Sequence, residues 1–148
     1  MTALVRRALA ALLALHLGAA AVAAEKRPEV VLDERIRVAV DVVETPALRE
    51  RGLSGRADLG EHEGMLFLFP TQKIQSFWMK EMNFAIDILW VRDGQIVGMS
   101  ENLPPPPRML MVLPRYASPV PCDIVLEVRA GQAKRWGLAI GDSVRIER

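Results

Sequence analysis

Cysteine is nearly absent from this chain. Cys122 stands alone among 148 residues, which excludes a disulfide framework within the chain and any zinc site built from cysteines alone. Histidine is almost as scarce. Beyond the leading segment only His62 remains, in an acidic loop between Glu61 and Glu63, so triad chemistry has one thiol–imidazole pair to draw on, Cys122 with His62. No run of like charge occurs. The 19 Lys and Arg face 18 Asp and Glu, a formal +1, and such a balance lacks the basic stripe of a nucleic-acid surface. No internal repeat and no calcium-type carboxylate loop is visible. Aromatics are few, and six of the eight lie between Phe67 and Trp90, so that segment is expected to hold the core and to border any recognition surface.

Hydrophobic residues make up 51% of the chain, too many for a disordered protein. The first part of that content is a leader. Arg6 and Arg7 precede an apolar run from Ala8 to Ala21, broken only by His16, and Ala21-Val22-Ala23 then gives a small-x-small pattern before Glu25. This is the three-part layout of a secretory signal peptide, with a run shorter than the about 20 residues of a membrane span. Residues 1–24 are therefore expected to be a signal peptide or, uncleaved, an N-terminal anchor that would be the only membrane contact. Residues 25–148 are expected to form one β-rich domain in a periplasmic or other extracytoplasmic location. Without Arg6 and Arg7 the domain carries 17 basic and 18 acidic residues, a net −1.

Within the domain, Ile36, Val38, Val40 and Val42 alternate with Arg37, Ala39 and Asp41, the period of a half-buried strand. Thr45-Pro46 offers a cap and a first helical residue, and Gly52 a stop. Gly64 to Pro70 is an apolar run bounded by punctuating residues, read as a strand buried on both faces. Phe77 and Met79 alternate with Trp78 and Lys80, suggesting another strand. Ile88 to Val91 and Ile96-Val97 flank Asp93-Gly94, a dipeptide suited to the two positive φ angles of a tight hairpin. Pro104 to Pro107, Pro114, Pro119 and Pro121 predict a long loop with extended stretches over 102–121, because proline removes a ladder donor. Ile124, Leu126 and Val128 resume the strand period, a short helix fits Gly131 to Trp136, and Val144 with Ile146 predicts a final edge strand. The fold expected is mainly β: a compact sandwich or partly closed barrel with two short helices.

Several local strings are familiar together. Gly52-Leu53-Ser54-Gly55-Arg56, Gly64-Met65-Leu66-Phe67, Phe77-Trp78-Met79-Lys80 with Met82, and Ile86-Asp87-Ile88-Leu89-Trp90 occur in that order. Asn102, Tyr116, Val125-Leu126-Glu127-Val128 with Ala130-Gly131, and Gly141-Asp142-Ser143-Val144 follow. From Val38 to Ile146 the chain resembles the domain of unknown function 192 family. The resemblance implies an exported or membrane-tethered prokaryotic protein with a β-rich fold, and it implies no reaction. Ala85 and Cys122 depart from the family pattern, which usually has proline and alanine there.

Asp87 sits in apolar company between Ile86 and Ile88, where an ionised carboxylate needs a partner. Lys80 is the nearest basic residue that a turn over Glu81 to Ala85 would return beside it. The pair reads either as a structural ion pair or as the heart of a pocket. Arg51, Arg56, Glu101, Tyr116 and Glu127 are candidates to gather around it, with Trp78 and Trp90 as an apolar floor or as plain core. Glu127 alternates only partly with its neighbours and otherwise faces solvent or Arg129. Met79 with Met82, and Met109 with Met111, offer thioethers to copper(I) or fill core gaps.

The function expected is non-catalytic binding of a small polar ligand, an envelope glycan or an envelope protein. Its site residues are Arg56, Trp78, Lys80, Asp87, Glu101, Tyr116 and Glu127, with no catalytic residue, metal or cofactor and no nucleic-acid partner. Two alternatives stay open. One is a hydrolase of envelope polymers with Asp87 or Glu127 as acid or base, which needs two carboxyls at a set separation. The other is a structural protein that docks a partner through an exposed apolar patch at 104–112.

Overall fold

The computed structural model describes residues 26–107, 109 and 111–148. The expected signal peptide at 1–24 lies outside the described residues. The chain runs β1 (Glu29–Leu32), β2 (Ile36–Val43), α1 (Pro46–Arg51), β3 (Glu63–Lys73), β4 (Ser76–Trp78), β5 (Ile86–Arg92), β6 (Gln95–Leu103), β7 (Arg115–Ala117), β8 (Cys122–Arg129), α2 (Gln132–Arg135) and β9 (Val144–Glu147).

Local chemistry explains most of these boundaries. Thr45 caps α1 through a side-chain bond from the Leu48 N–H at 3.3 Å, and Gly52 ends it at φ 49°. The β5–β6 hairpin turns on Asp93 and Gly94, at φ 51° and 73°. The β1–β2 hairpin uses the same device with Asp33 and Glu34, at φ 48° and 53°; both are short polar turns whose positive φ matches the right-handed twist of the strands. β2 and β3 are parallel neighbours, so the chain crosses over between them through α1.

Seven strands form one sheet in the order β6-β5-β8-β3-β2-β1-β9, and β4 pairs with β7 in a separate ribbon. The two edge strands of the large sheet meet at one end. Ile96 donates its N–H to the Asp142 carbonyl at 2.9 Å and Val144 to that of Gly94 at 2.8 Å. The sheet thus curls into a partly closed barrel, which covers part of two edges that would otherwise invite pairing with another chain.

Side-chain parity divides the core in two. Val30, Val38, Leu66, Leu89, Leu126 and Val144 point inside the barrel, where Ala133 and Trp136 of the α2 segment pack with them. Met65, Phe67, Ile88, Trp90 and Val125 point outward. That outer face is covered by Leu53 and Leu59 after α1, by Met79 and Met82, and by Phe77 of the β4–β7 ribbon. Each large side chain buried this way contributes roughly 1.5–3 kcal/mol. A slip of one residue would turn both sets over, so the register is strongly specified.

The segment 102–121 is a loop with an extended stretch: β7 lies within it and pairs with β4 from far upstream. One expectation needs correction: the strand expected from Phe77 through Lys80 ends at Trp78. β1, whose Val30-Val31-Leu32 run shows no alternation and is not among the expected strands, forms between β2 and β9.

Candidate functional site

The clearest hollow among the described residues is a cavity of about 210 Å³ on the outer face of the sheet. β3 and β8 supply its floor through Phe67 and Glu127, α1 and Ser54 one wall, and Phe77 and Trp78 of β4 the other, with Arg115 of β7 beside them. The walls are fixed from outside. Ser54 Oγ donates to the Lys80 carbonyl at 2.8 Å, and Gly55 donates its N–H to the Glu81 carbonyl at 2.9 Å. Arg49 ties α1 to β3 by donating to the Leu68 carbonyl at 2.6 Å and stacks 4.9 Å over the Phe69 ring. The Phe77 ring meets Phe67 edge-on at 4.9 Å and Trp90 at 5.6 Å, an arrangement favoured by the ring quadrupoles. Gly52, held at φ 49°, lets the chain turn beside the Phe67 ring, where a Cβ would meet Phe67 Cζ at an ordinary 3.4 Å.

Glu127 is the one acid on the floor. Its register partners are Met65 and Ile88, its residue is 5% exposed, and burial alone pushes its carboxyl up to about 8. Charged and neutral forms are thus both accessible near neutral pH, and the neutral acid can donate as well as accept a hydrogen bond. The expectation that Glu127 faces solvent or Arg129 is corrected; Arg129 instead pairs with Asp58 at 3.6 Å.

Asp87 belongs elsewhere. It is 0% exposed and pairs in register with Val128, on the barrel-interior side, whereas its neighbour Ile88 pairs with Glu127 on the other side. Its Oδ1 accepts from the Asn102 N–H at 2.8 Å and its Oδ2 from the Ala133 N–H at 3.0 Å. α2 has no cap from its own Gly131, so Asp87 caps it across the fold and also holds Asn102 at φ 54°. The expected Lys80–Asp87 pair therefore does not form: strand parity sends the acid inward, and backbone donors satisfy it. Lys80 is exposed, its ammonium 5.6 Å over one Trp78 ring centre, while the Arg115 guanidinium lies 4.7 Å from a Trp78 ring centre.

The remaining candidates scatter. Trp78 lines the cavity with Glu127, and Trp78 and Lys80 line an adjoining hollow with Glu50, Arg51 and Ser54. Arg56 pairs with Asp41 at 2.6 Å, Glu101 is exposed on β6, and Tyr116 packs against the outer core opposite Phe77. Trp90 is fully buried and donates to Ser100 at 3.1 Å, so it is core. Met79 and Met82 fill the outer core, while Met109 and Met111 are 92% and 99% exposed. His62 contacts the Arg37 carbonyl and the Trp136 ring, and Cys122 is buried in the outer core.

Sequence reasoning overlooked Phe67, Phe77, Arg49 and Arg115. The phenylalanines carried only the clustering of aromatics between Phe67 and Trp90, which marked the segment and not the individual residues. Glu127 did carry one: Val125-Leu126-Glu127-Val128 is apolar on both strand faces, so its single acid had to be buried whichever way it pointed.

Fold and site together define a class of protein, a partly closed β-barrel with an aromatic cavity over a buried acid on the outside of its sheet. The chain belongs to the domain of unknown function 192 family, described as Uncharacterized ACR, which it matches over residues 29–146. It is similar to a crystal structure of a protein of unknown function from Novosphingobium aromaticivorans DSM 12444, with a TM-score of 0.72 and 28% identity over 79% of this chain and 83% of that one. It is also similar to a candidate transcription regulator from Sinorhizobium meliloti 1021, with a TM-score of 0.71 and 30% identity over 82% of this chain and 95% of that one. No protein of curated description matches it.

Proposed function

We propose that this protein is an exported, non-catalytic binding domain of the cell envelope. Its cavity takes a small polar ligand, or one ring or side chain of a larger glycan or protein. The carrying observation is Glu127, a buried carboxyl with no ion pair among the described residues, at the foot of a cavity walled by Phe67, Phe77 and Trp78. Aromatic side chains with a few placed polar groups are the usual make-up of a ligand site, and Ser54, Gln75 and Ser76 join Glu127 in this lining. At about 210 Å³ the cavity is smaller than the about 300–1,000 Å³ of drug-sized sites, which points to one ring or one short chain.

Two other readings have less support. A hydrolase using Asp87 with Glu127 would need carboxyls facing one cleft, and these two face opposite sides of the sheet. The docking alternative has the exposed Met109, Met111 and Val112 in its favour, but it leaves the cavity unexplained. A regulator role, by analogy with the S. meliloti protein, calls for a basic face, whereas Arg27, Arg37, Arg56 and Arg145 each pair with carboxylates.

The test is a thermal-shift screen of wall fragments, sugars and short peptides against the protein and its Trp78→Ala and Glu127→Gln variants. A ligand of the folded form at 100 times its Kd adds about 2.7 kcal/mol of stability. The expected result is a hit that both substitutions weaken; hits that neither affects would place binding elsewhere and sink the reading. For export, a fusion of residues 1–30 to a reporter active only outside the cytoplasm is expected to be active.

A further inference from the structure

We infer that the cavity selects a small zwitterion, its ammonium end seated against Glu127 and its anionic end held by the arginines at the mouth. The inference rests on the binding reading above and names the ligand class for the same cavity.

Three observations converge. Glu127 is the buried acid of the floor, and its register neighbours Met65 and Ile88 offer it nothing. An ammonium would satisfy the carboxylate and find ring electron density at Phe67 and Phe77, which favours a cation over an anion. The mouth has the opposite sign. Arg49, Arg51 and Arg115 line it against one acid, Glu50. Arg49 is committed to backbone carbonyls and Phe69, and Arg115 lies over Trp78. Arg51 is exposed and has no ion pair among the described residues, so it is the natural clamp for a carboxylate or phosphate. An anion pushed inward would meet Glu127, and a lone cation would meet three arginines on the way in. A zwitterion entering ammonium first meets favourable charge at both ends.

No bond to the ligand is made or broken in this binding; the O–H bond of the Glu127 carboxyl breaks and its proton passes to a water or buffer base. The ligand arrives as an ammonium ion. Glu127 gives its proton to solvent, and the resulting carboxylate pairs with the incoming charge. The charged groups facing the site are Arg49, Glu50 and Arg51 from the α1 region and Arg115 from β7.

The test is isothermal titration at pH 7 in two buffers of different ionisation enthalpy. The probes are ω-amino carboxylates from glycine to 6-aminohexanoate, because the span between Glu127 and the mouth selects a length. Hexanoate, hexylamine and N-acetylglucosamine serve as comparisons. One chain length is expected to bind with release of close to one proton. Glu127→Gln should abolish the release and weaken binding at least tenfold, whereas Arg51→Ala should weaken the amino carboxylate and not hexylamine. Hexanoate binding as tightly as every amino carboxylate, or no binding by any of the series, overturns the inference. If N-acetylglucosamine binds instead, without proton release and in a Glu127-dependent way, the zwitterion falls and the cavity reading stands. Silence from all probes, together with a failed fragment screen, removes both.

Discussion

Replacing Glu127 by glutamine isolates a single ionisation from the rest of the molecule. In the unfolded chain this carboxyl titrates near 4.5, and in the folded protein burial holds it at about 8. Between those values the folded state keeps a proton that the unfolded state has lost, so stability falls as pH rises, by about 1.4 kcal/mol per unit. The contribution is fully present below 4.5 and is lost progressively until the pH passes about 8, and the whole window corresponds to about 5 kcal/mol. The amide of the Glu127→Gln variant does not titrate. That variant should match the parent near pH 4.5, exceed it by about 3 kcal/mol at pH 7, and level off about 5 kcal/mol above it beyond pH 8. Asp41, Glu63 and Glu147, held below the usual carboxylate range against desolvation by their arginine partners, work in the opposite sense. Their stabilisation is present above the usual range and lost as pH falls. Both proteins carry them, so they cancel in the difference. Urea unfolding of the two proteins from about pH 4 to 8.5 measures it. A difference that stays flat with pH, or a glutamine variant less stable at about pH 8, would refute the claim that Glu127 is buried without a partner.

Other consequences are as direct. Asp87→Ala strips the buried Ala133 N–H and the part-buried Asn102 N–H of their acceptor, at about 1–3 kcal/mol for the buried one and less for the other, and should lower stability in urea by about 1–5 kcal/mol while leaving ligand affinity intact. Gly64→Ala places a Cβ 2.8 Å from the Glu127 carbonyl and 3.0 Å from Leu126 Cδ1; backbone cannot move aside cheaply, so a loss of about 1–3 kcal/mol is expected in the same assay. The Cys122 thiol is fully buried and burial pushes its ionisation up, so a thiol reagent at about pH 8 should label it only at the rate of unfolding; prompt labelling of the native protein would contradict its placement. Arg56→Ala removes a half-exposed pair with Asp41 and should cost less than about 1 kcal/mol by thermal melt.

The sequence by itself determined where the backbone turns and what each segment becomes. Asp93-Gly94, Thr45-Pro46 with Gly52, and the alternation of Ile36 to Val42 are all read from adjacent residues, because φ preference, capping and strand period act over a few positions. The family was legible for the same reason, in short strings kept in order. The tertiary structure alone decided which face each buried acid meets. Asp87 and Glu127 both lie in strands of apolar residues, yet the β5–β8 register sends one to the cap of α2 and the other to the floor of a cavity. It also brought Trp78 beside Arg115 and Phe77 opposite Tyr116, across a ribbon whose strands lie far apart in the chain. Pairing between distant segments is chosen by the packing of both sheet faces at once, and no short stretch of sequence contains that information.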